Sequence, residues 1–352
     1  FISMAKKRVK NLDINKLINT VKMLTGWIIA PLLIIVIYLY SPQLGLWLIS
    51  DKSDIWFNET ATMLQDFLTI TLSIVIEALP FVILGIIISS LIRRFLPPAK
   101  LTKILPRNPF WRRFTLSLAG LALPVCECGN VPVARSLLAR GLKPADVVSF
   151  LFAAPILNPI TIIATMTAFS FQPYMVWWRI IFALIIVQLT ALIVSFMDEN
   201  KIVRPAFKEY CRAHEHSSKF KEMLGSSRDE FWQLLTMLSI GAIIAAATQV
   251  FVPRAIINTV GNDIILSVIT MIGLSFVVSI CSSIDAFFAL AYARSFTAGS
   301  ILSFLLAGPM IDIKLIVLMR TTFRWRFIAV VMLIIFALSF AAGIGVNLLY
   351  AG

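Results

Sequence analysis

Charged side chains are scarce in this chain. Asp, Glu, Lys and Arg make up 14% of its 352 residues, while 59% are hydrophobic. A soluble domain carries roughly 25% charged residues and about half apolar ones, which excludes an ordinary soluble fold. Short segments alternating between apolar and polar residues are missing too, which excludes a porin-type barrel. In their place stand apolar runs that reach the roughly 20 residues a spanning helix needs. The composition predicts an all-α polytopic membrane protein with the lipid bilayer as its first partner.

Acids are scarcer than bases, 18 against 31, for a formal charge of +13. In a membrane protein such an excess belongs to cytoplasmic loops rich in Lys and Arg, so no nucleic-acid partner is expected. Of the four cysteines, Cys126, Cys128 and Cys281 lie in apolar sequence and Cys211 in a polar loop. They form no paired framework, and structural disulfides are not expected. No small-residue cleavage pattern follows the basic N-terminal segment, so no removable signal peptide is expected. The string Gly-x-x-x-x-Gly-Lys-[Ser/Thr] is absent, so nothing supports ATP hydrolysis by this chain. No cofactor is implied.

The charges that are present set an orientation. Residues 1–25 form a basic cytoplasmic segment, and residues 26–61 an extra N-terminal transmembrane helix with its external loop. The loop 93–113 carries seven cations and no acid, and the loop 197–229 carries another seven cations. The positive-inside rule makes both cytoplasmic and places the protein in the cell membrane, multi-pass, with the N-terminus inside. Spans are expected at about 64–92, 145–169, 174–196, 230–252, 299–319 and 327–349.

One stretch stands out within the apolar sequence: Pro124-Val125-Cys126-Glu127-Cys128-Gly129-Asn130-Val131-Pro132. Hydrocarbon tolerates broken backbone and ionisable groups only where they are buried in protein or line a cavity. The flanking halves, about 114–125 and 130–140, are each too short to cross. A re-entrant hairpin from the cytoplasmic side fits, with Asn130 as N-cap and Pro132 in the first turn of the returning half-helix. A helix N-terminus favours a nearby thiolate, which is a soft ligand for Cu(I), Zn(II) or metalloids.

The second half of the chain echoes the first. Ser149-Phe150-Leu151-Phe152-Ala153-Ala154-Pro155-Ile156-Leu157-Asn158-Pro159 aligns with Ser303-Phe304-Leu305-Leu306-Ala307-Gly308-Pro309-Met310-Ile311-Asp312-Ile313. Gly85 and Phe95 match Gly241 and Phe251, and Cys126 falls opposite Cys281 with a one-residue slip. The echo predicts two repeats, 62–196 and 230–352, joined by the cytoplasmic loop 197–229. With re-entrant hairpins near 114–140 and 264–293, each repeat has three full spans and the second is inverted. Fully crossing hairpins would make the repeats parallel and put the cation-rich loop 197–229 outside.

Several residues are candidates for function. Cys126, Cys128 and Cys281 would form a soft-ligand cluster if the repeats bring them together. Cys126, Glu127, Cys128, Asn130, Asn158, Cys281, Asp285 and Asp312 are candidate substrate contacts. Asn158 and Asp312 occupy equivalent places after a proline, where a hydrogen-bonded kink is the plain alternative and where Lys314 can pair with Asp312. Glu77, mid-span, and Asp312 are candidates for proton coupling, because burial makes a carboxylate's charge costly. A helix-packing hydrogen bond competes for Glu77. The run Cys211 to His216 contains both histidines and reads more readily as a solvated loop than as a metal site.

On Leu123 to Pro132, on Ala153-Ala154-Pro155-Ile156-Leu157-Asn158-Pro159, and on the repeat, the chain resembles the predicted-permease family that includes the bacterial arsenical permeases. The Glu between the cysteines and the Ile-Leu-Asn-Pro break look most like a Gram-positive branch described as one subunit of a two-component membrane permease. That resemblance implies a permease, a bacterial membrane and a second membrane-associated subunit; arsenical relatives are described as exporters of trivalent organoarsenicals. The expectation is therefore a secondary-type permease, not an enzyme, exporting a thiophilic metal, a metalloid or another small solute. A membrane-embedded thiol–disulfide redox protein and a non-transporting subunit of a larger complex stay open, as does a homo-oligomer.

Overall fold

The computed structural model describes residues 55–95, 105–122, 126–207, 209, 220–251, 263–293 and 295–350. The N-terminal segment, the first expected span, Leu123–Val125 and the Cys211–His216 run lie outside them. The chain divides into residues 1–62, of which 55–62 are helical, and a compact unit from Met63 to Gly352.

The elements are helical: α1 (Ile55–Phe95), α2 (Pro109–Leu118), α3 (Glu127–Ala139), α4 (Pro144–Ala153), α5 (Pro159–Ala168), α6 (Tyr174–Ser195), the short α7 (Glu199–Ile202), α8 (Phe220–Phe251), α9 (Ile264–Val278), α10 (Asp285–Tyr292), α11 (Ala298–Ala307), α12 (Ile313–Met319) and α13 (Trp325–Tyr350). A 3₁₀ turn, Ala119–Ala122, follows α2. Among the described residues there is no strand, only an isolated bridge between Val203 and Phe323. Segments of α1, α6, α8 and α13 are long and apolar enough to cross a membrane.

Proline and short polar side chains place the helix ends. Pro155 and Pro309 cannot continue a helix ladder, and α4 and α11 end just before them. The two interruptions are built alike. The Ala153 carbonyl accepts from the N–H groups of Ile156 and Leu157, at 3.1 and 2.9 Å. The Ala307 carbonyl accepts from those of Met310 and Ile311, at 3.0 and 2.7 Å. The next helix is then capped by a side chain, Asn158 accepting from the Ile160 N–H at 2.9 Å and Asp312 from the Leu315 N–H at 2.5 Å. Thr161 donates to the Pro155 carbonyl at 2.9 Å, satisfying a group that the break sets free.

The start of α3 differs from the sequence expectation. Its N-cap is Cys126, and Asn130 lies within the helix. The Cys126 carbonyl accepts from Gly129 and Asn130, both at 3.1 Å, so the helix starts about one turn earlier than a cap at Asn130 would allow. Glu127 thereby occupies the first helical position, where negative charge is favoured. Pro132 sits inside the helix and deprives the Cys128 carbonyl of its usual N–H partner.

The packing follows the breaks. Helix α4 packs on α2, α3 and α6, while α11 packs on α9, α10 and α13. Contacts that cross between the halves include α3 on α12, α10 on α5, and α6 on both α11 and α13. Close approach disfavours a side chain at several glycines, two of them on the long helices beside the site. A Cβ on Gly85 of α1 would collide with the Gly129 carbonyl, and one on Gly241 of α8 would lie 3.0 Å from Lys314 Cα.

Candidate functional site

The tip of α3 and the break between α9 and α10 meet in the interior. Cys126, Glu127 and Cys128 are buried, as are Cys281, Ser282 and Asp285. Cys281 follows Ser279, which adopts a left-handed backbone at φ 48°. That conformation is uncommon for a residue with a Cβ and is held by its surroundings. The Ser279 hydroxyl accepts from the Ile313 N–H at 3.3 Å and so ties the break to α12. The Cys281 carbonyl accepts from Ile284 and Asp285, at 3.0 and 3.1 Å, the pattern seen at Cys126.

The thiols converge. Cys126 lies within hydrogen-bonding reach of both Cys128 and Cys281. All three are free thiols. The tightest set is mixed rather than all sulfur: the ligand atoms of Cys126, Glu127 and Cys281 lie within 4.8 Å of one another. Cys128 stands beside that set, not in it. Tetrahedral zinc with sulfur at ~2.3 Å would need these atoms to close only slightly. Two sulfurs and one carboxylate suit a soft or borderline cation and leave a coordination position open.

Charge surrounds the thiols. Glu127 Oε1 lies 3.5 Å from Lys314 Nζ, and Ser282 Oγ donates to Glu127 Oε2 at 3.4 Å. Lys314 Nζ also lies 3.4 Å from Asp312 Oδ2. The side chains of Glu127, Asp312 and Lys314 are 4% exposed or less, so they compensate one another in place of water. Half-buried Glu77 of α1 reaches the same region, within hydrogen-bonding reach of Cys281.

Asp285 has a different environment. Arg179 of α6 grips it with both terminal nitrogens, at 3.1 Å to Oδ1 and 2.5 Å to Oδ2, and also donates to Thr165 at 2.7 Å. Both of its oxygens are thus engaged by a guanidinium, a strong bidentate arrangement. A third buried ion pair, Arg135 Nε to Glu230 at 3.6 Å, joins α3 to α8. Arg135 also donates to Gln233 at 3.0 Å. Asn130 is buried within α3, and Asn158 holds its side-chain oxygen on the cap of α5.

Of the eight residues expected as substrate contacts, Cys126, Glu127, Cys128 and Cys281 lie together, and Lys314 bridges Glu127 to Asp312. Sequence reasoning passed over Arg179, Thr165 and Ser282. Arg179 had a visible signal, a lone cation in an otherwise apolar span. Its partner lies 106 positions away, which no local pattern reveals.

The profile described as "Predicted permease" matches residues 63–348. The chain belongs to this family. The "UPF0718 protein YcgR" of Bacillus subtilis (strain 168) is 35% identical over 263 residues, covering 74% of this chain and 90% of the relative. A protein of Streptococcus mutans (serotype c, strain ATCC 700610 / UA159), named "Putative two-component membrane permease complex subunit", is 33% identical over 277 residues. That match covers 77% of this chain and 92% of the relative. No solved structure matches the chain significantly. The family matches and the apolar helices together make this a multi-pass membrane permease.

Proposed function

We propose that this permease is a secondary-type transporter that carries a thiophilic metal ion or metalloid, in the export direction, through a site between two inverted halves. The observation that carries the reading is the convergence of Cys126 and Glu127 from α3 with Cys281 from the α9–α10 break. A site made from two broken hairpins can open to one side or the other as the halves rock. The matched bonding at Ala153 and Ala307, and at Cys126 and Cys281, supports the division into repeats 62–196 and 230–352.

In this reading the thiols take the cargo as thiolates, and Glu127 completes the ligand set. Asp312 caps α12 and anchors Lys314. Glu77, half-buried beside Cys281, is a proton-coupling candidate, as is Asp312. Asp285 and Asn158 serve the frame, since Arg179 and the α5 cap engage them. The N-terminus lies in the cytoplasm, and a second membrane-associated subunit completes the transporter. The printed name of the Streptococcus mutans relative supports that last point.

Proteoliposome flux tests the reading. Cd(II), Zn(II), arsenite, a trivalent organoarsenical and thiosulfate are offered to wild type, Cys126→Ser, Cys128→Ser and Cys281→Ser. Transport of a thiophilic solute that collapses in Cys126→Ser and Cys281→Ser supports it. Flux unchanged in both removes the thiols from the mechanism. A redox role rests on the reach of Cys126 to two other thiols; it predicts disulfide cycling with no flux.

A further inference from the structure

Among the described residues, Lys314 is the one buried ammonium group against the ligand set, and its position has a consequence for substrate class. It contacts Glu127, which is itself a member of the ligand set. Its second contact, Asp312, has its other oxygen fixed by the Leu315 N–H. Glu127 is therefore shared between an internal cation and the thiol pocket, while Asp312 is held by the cap of α12 as well as by Lys314.

We propose that Lys314 is a tethered cation that holds Glu127 while the pocket is empty and yields it to an incoming soft cation, making Lys314 a determinant of cation selectivity. This rests on Cys126, Glu127 and Cys281 being the substrate site. Glu127, Asp312 and Lys314 together carry one net negative charge, and Arg179 already neutralises Asp285. By formal charge, a divalent cation brings the triad to +1. A sulfur or arsenic oxyanion would instead add charge of the sign already in excess, in a region where uncompensated charge is costly. The substrate class that fits is a thiophilic cation, not an oxyanion. Lys314 keeps Asp312 when Glu127 turns to the cargo, and it retakes Glu127 when the cargo leaves. Release is thus assisted by a group that the protein carries with it.

The test is Cd(II) binding to the detergent-solubilised full chain at fixed pH, read by the thiolate-to-cadmium absorption band. The key variant is the double Lys314→Met/Asp312→Asn. It leaves the triad at one net negative charge and preserves the cap, since Asn caps as well as Asp, but it removes the competitor. We expect Cd(II) to bind this variant ~10-fold more tightly than wild type, and Lys314→Arg to stay within about 3-fold of wild type. Wild-type or weaker affinity in the double variant, alongside loss of the band in Cys126→Ser and Cys281→Ser, would overturn the tethered-cation proposal and leave the thiol site standing. Wild-type binding in both thiol variants would instead bring down the site reading itself. Thermal unfolding gives an independent check. Cd(II) should raise the wild-type midpoint and thiosulfate should not; the reverse would contradict selectivity for cations.

Discussion

The tip at Cys126 and the tip at Cys281 share a backbone and differ in chemistry. Each cysteine carbonyl accepts from the N–H groups three and four positions on. At the first tip those turns present Glu127, Cys128 and Asn130; at the second they present Ser282, Ser283 and Asp285. The first tip carries a charge shared between the thiols and Lys314, and the second carries one locked to Arg179. Matched geometry lets the two tips meet. Divergent chemistry gives the meeting point its character: each tip brings a thiol, the first adds the Glu127 carboxylate, and Lys314 from α12 faces it.

The comparison breaks most severely at Arg179. Arg179→Met leaves Asp285 buried without its guanidinium, and removing one partner of a buried pair costs about 3–5 kcal/mol. Thermal unfolding in detergent should show a large loss that Arg179→Met/Asp285→Asn mostly recovers. A single variant as stable as wild type would show that the second tip is not locked. Next in size is the thiol asymmetry. Cys126→Ser and Cys281→Ser should each weaken Cd(II) binding ~100-fold, and Cys128→Ser less than ~5-fold, by the same absorption titration. Equal losses at all three positions would replace the mixed ligand set with a three-sulfur one. Glu127→Gln comes third. It keeps the size of the side chain and removes the shared charge, so Cd(II) affinity should fall ~10-fold. An unchanged affinity would make Glu127 structural. Smallest is Asn158→Ala, which loses the cap of α5 for about 1 kcal/mol in the same unfolding measurement. Flux abolished at unchanged stability would return Asn158 to the substrate path.

Much of this architecture was legible because membrane sequence is punctuated strongly. Length and apolarity marked the long helices α1, α6, α8 and α13, and Pro155 and Pro309 marked the breaks that divide the expected spans 145–169 and 299–319 into shorter helices. Cys126, Glu127 and Cys128 stood out because polar groups in hydrocarbon require a reason. What stayed hidden was long-range or fine-grained. Glu127 meets Lys314 across 187 positions, and such pairings leave no local periodicity. The start of α3 was misplaced because Asn130 is a good capping residue by type. The Cys126 carbonyl takes up the turn first, and that depends on backbone bonds, not composition. Asp285 was expected as a substrate contact, and its pairing with Arg179, in the sequence only a stray cation, could not be read from local pattern.

Central to the account is the claim that Cys126 and Cys281, from opposite halves, face one another around Glu127. A chain carrying Cys128→Ser and Cys211→Ser, with a protease site inserted in the 197–229 loop, isolates that pair. After treatment with a short bis-alkylating reagent and cleavage, the two halves should stay joined on a denaturing gel. Mass spectrometry should place the bridge at Cys126 and Cys281. Halves that separate while both thiols carry single alkylations would contradict the account, because the reagent would have reached each cysteine and found no partner.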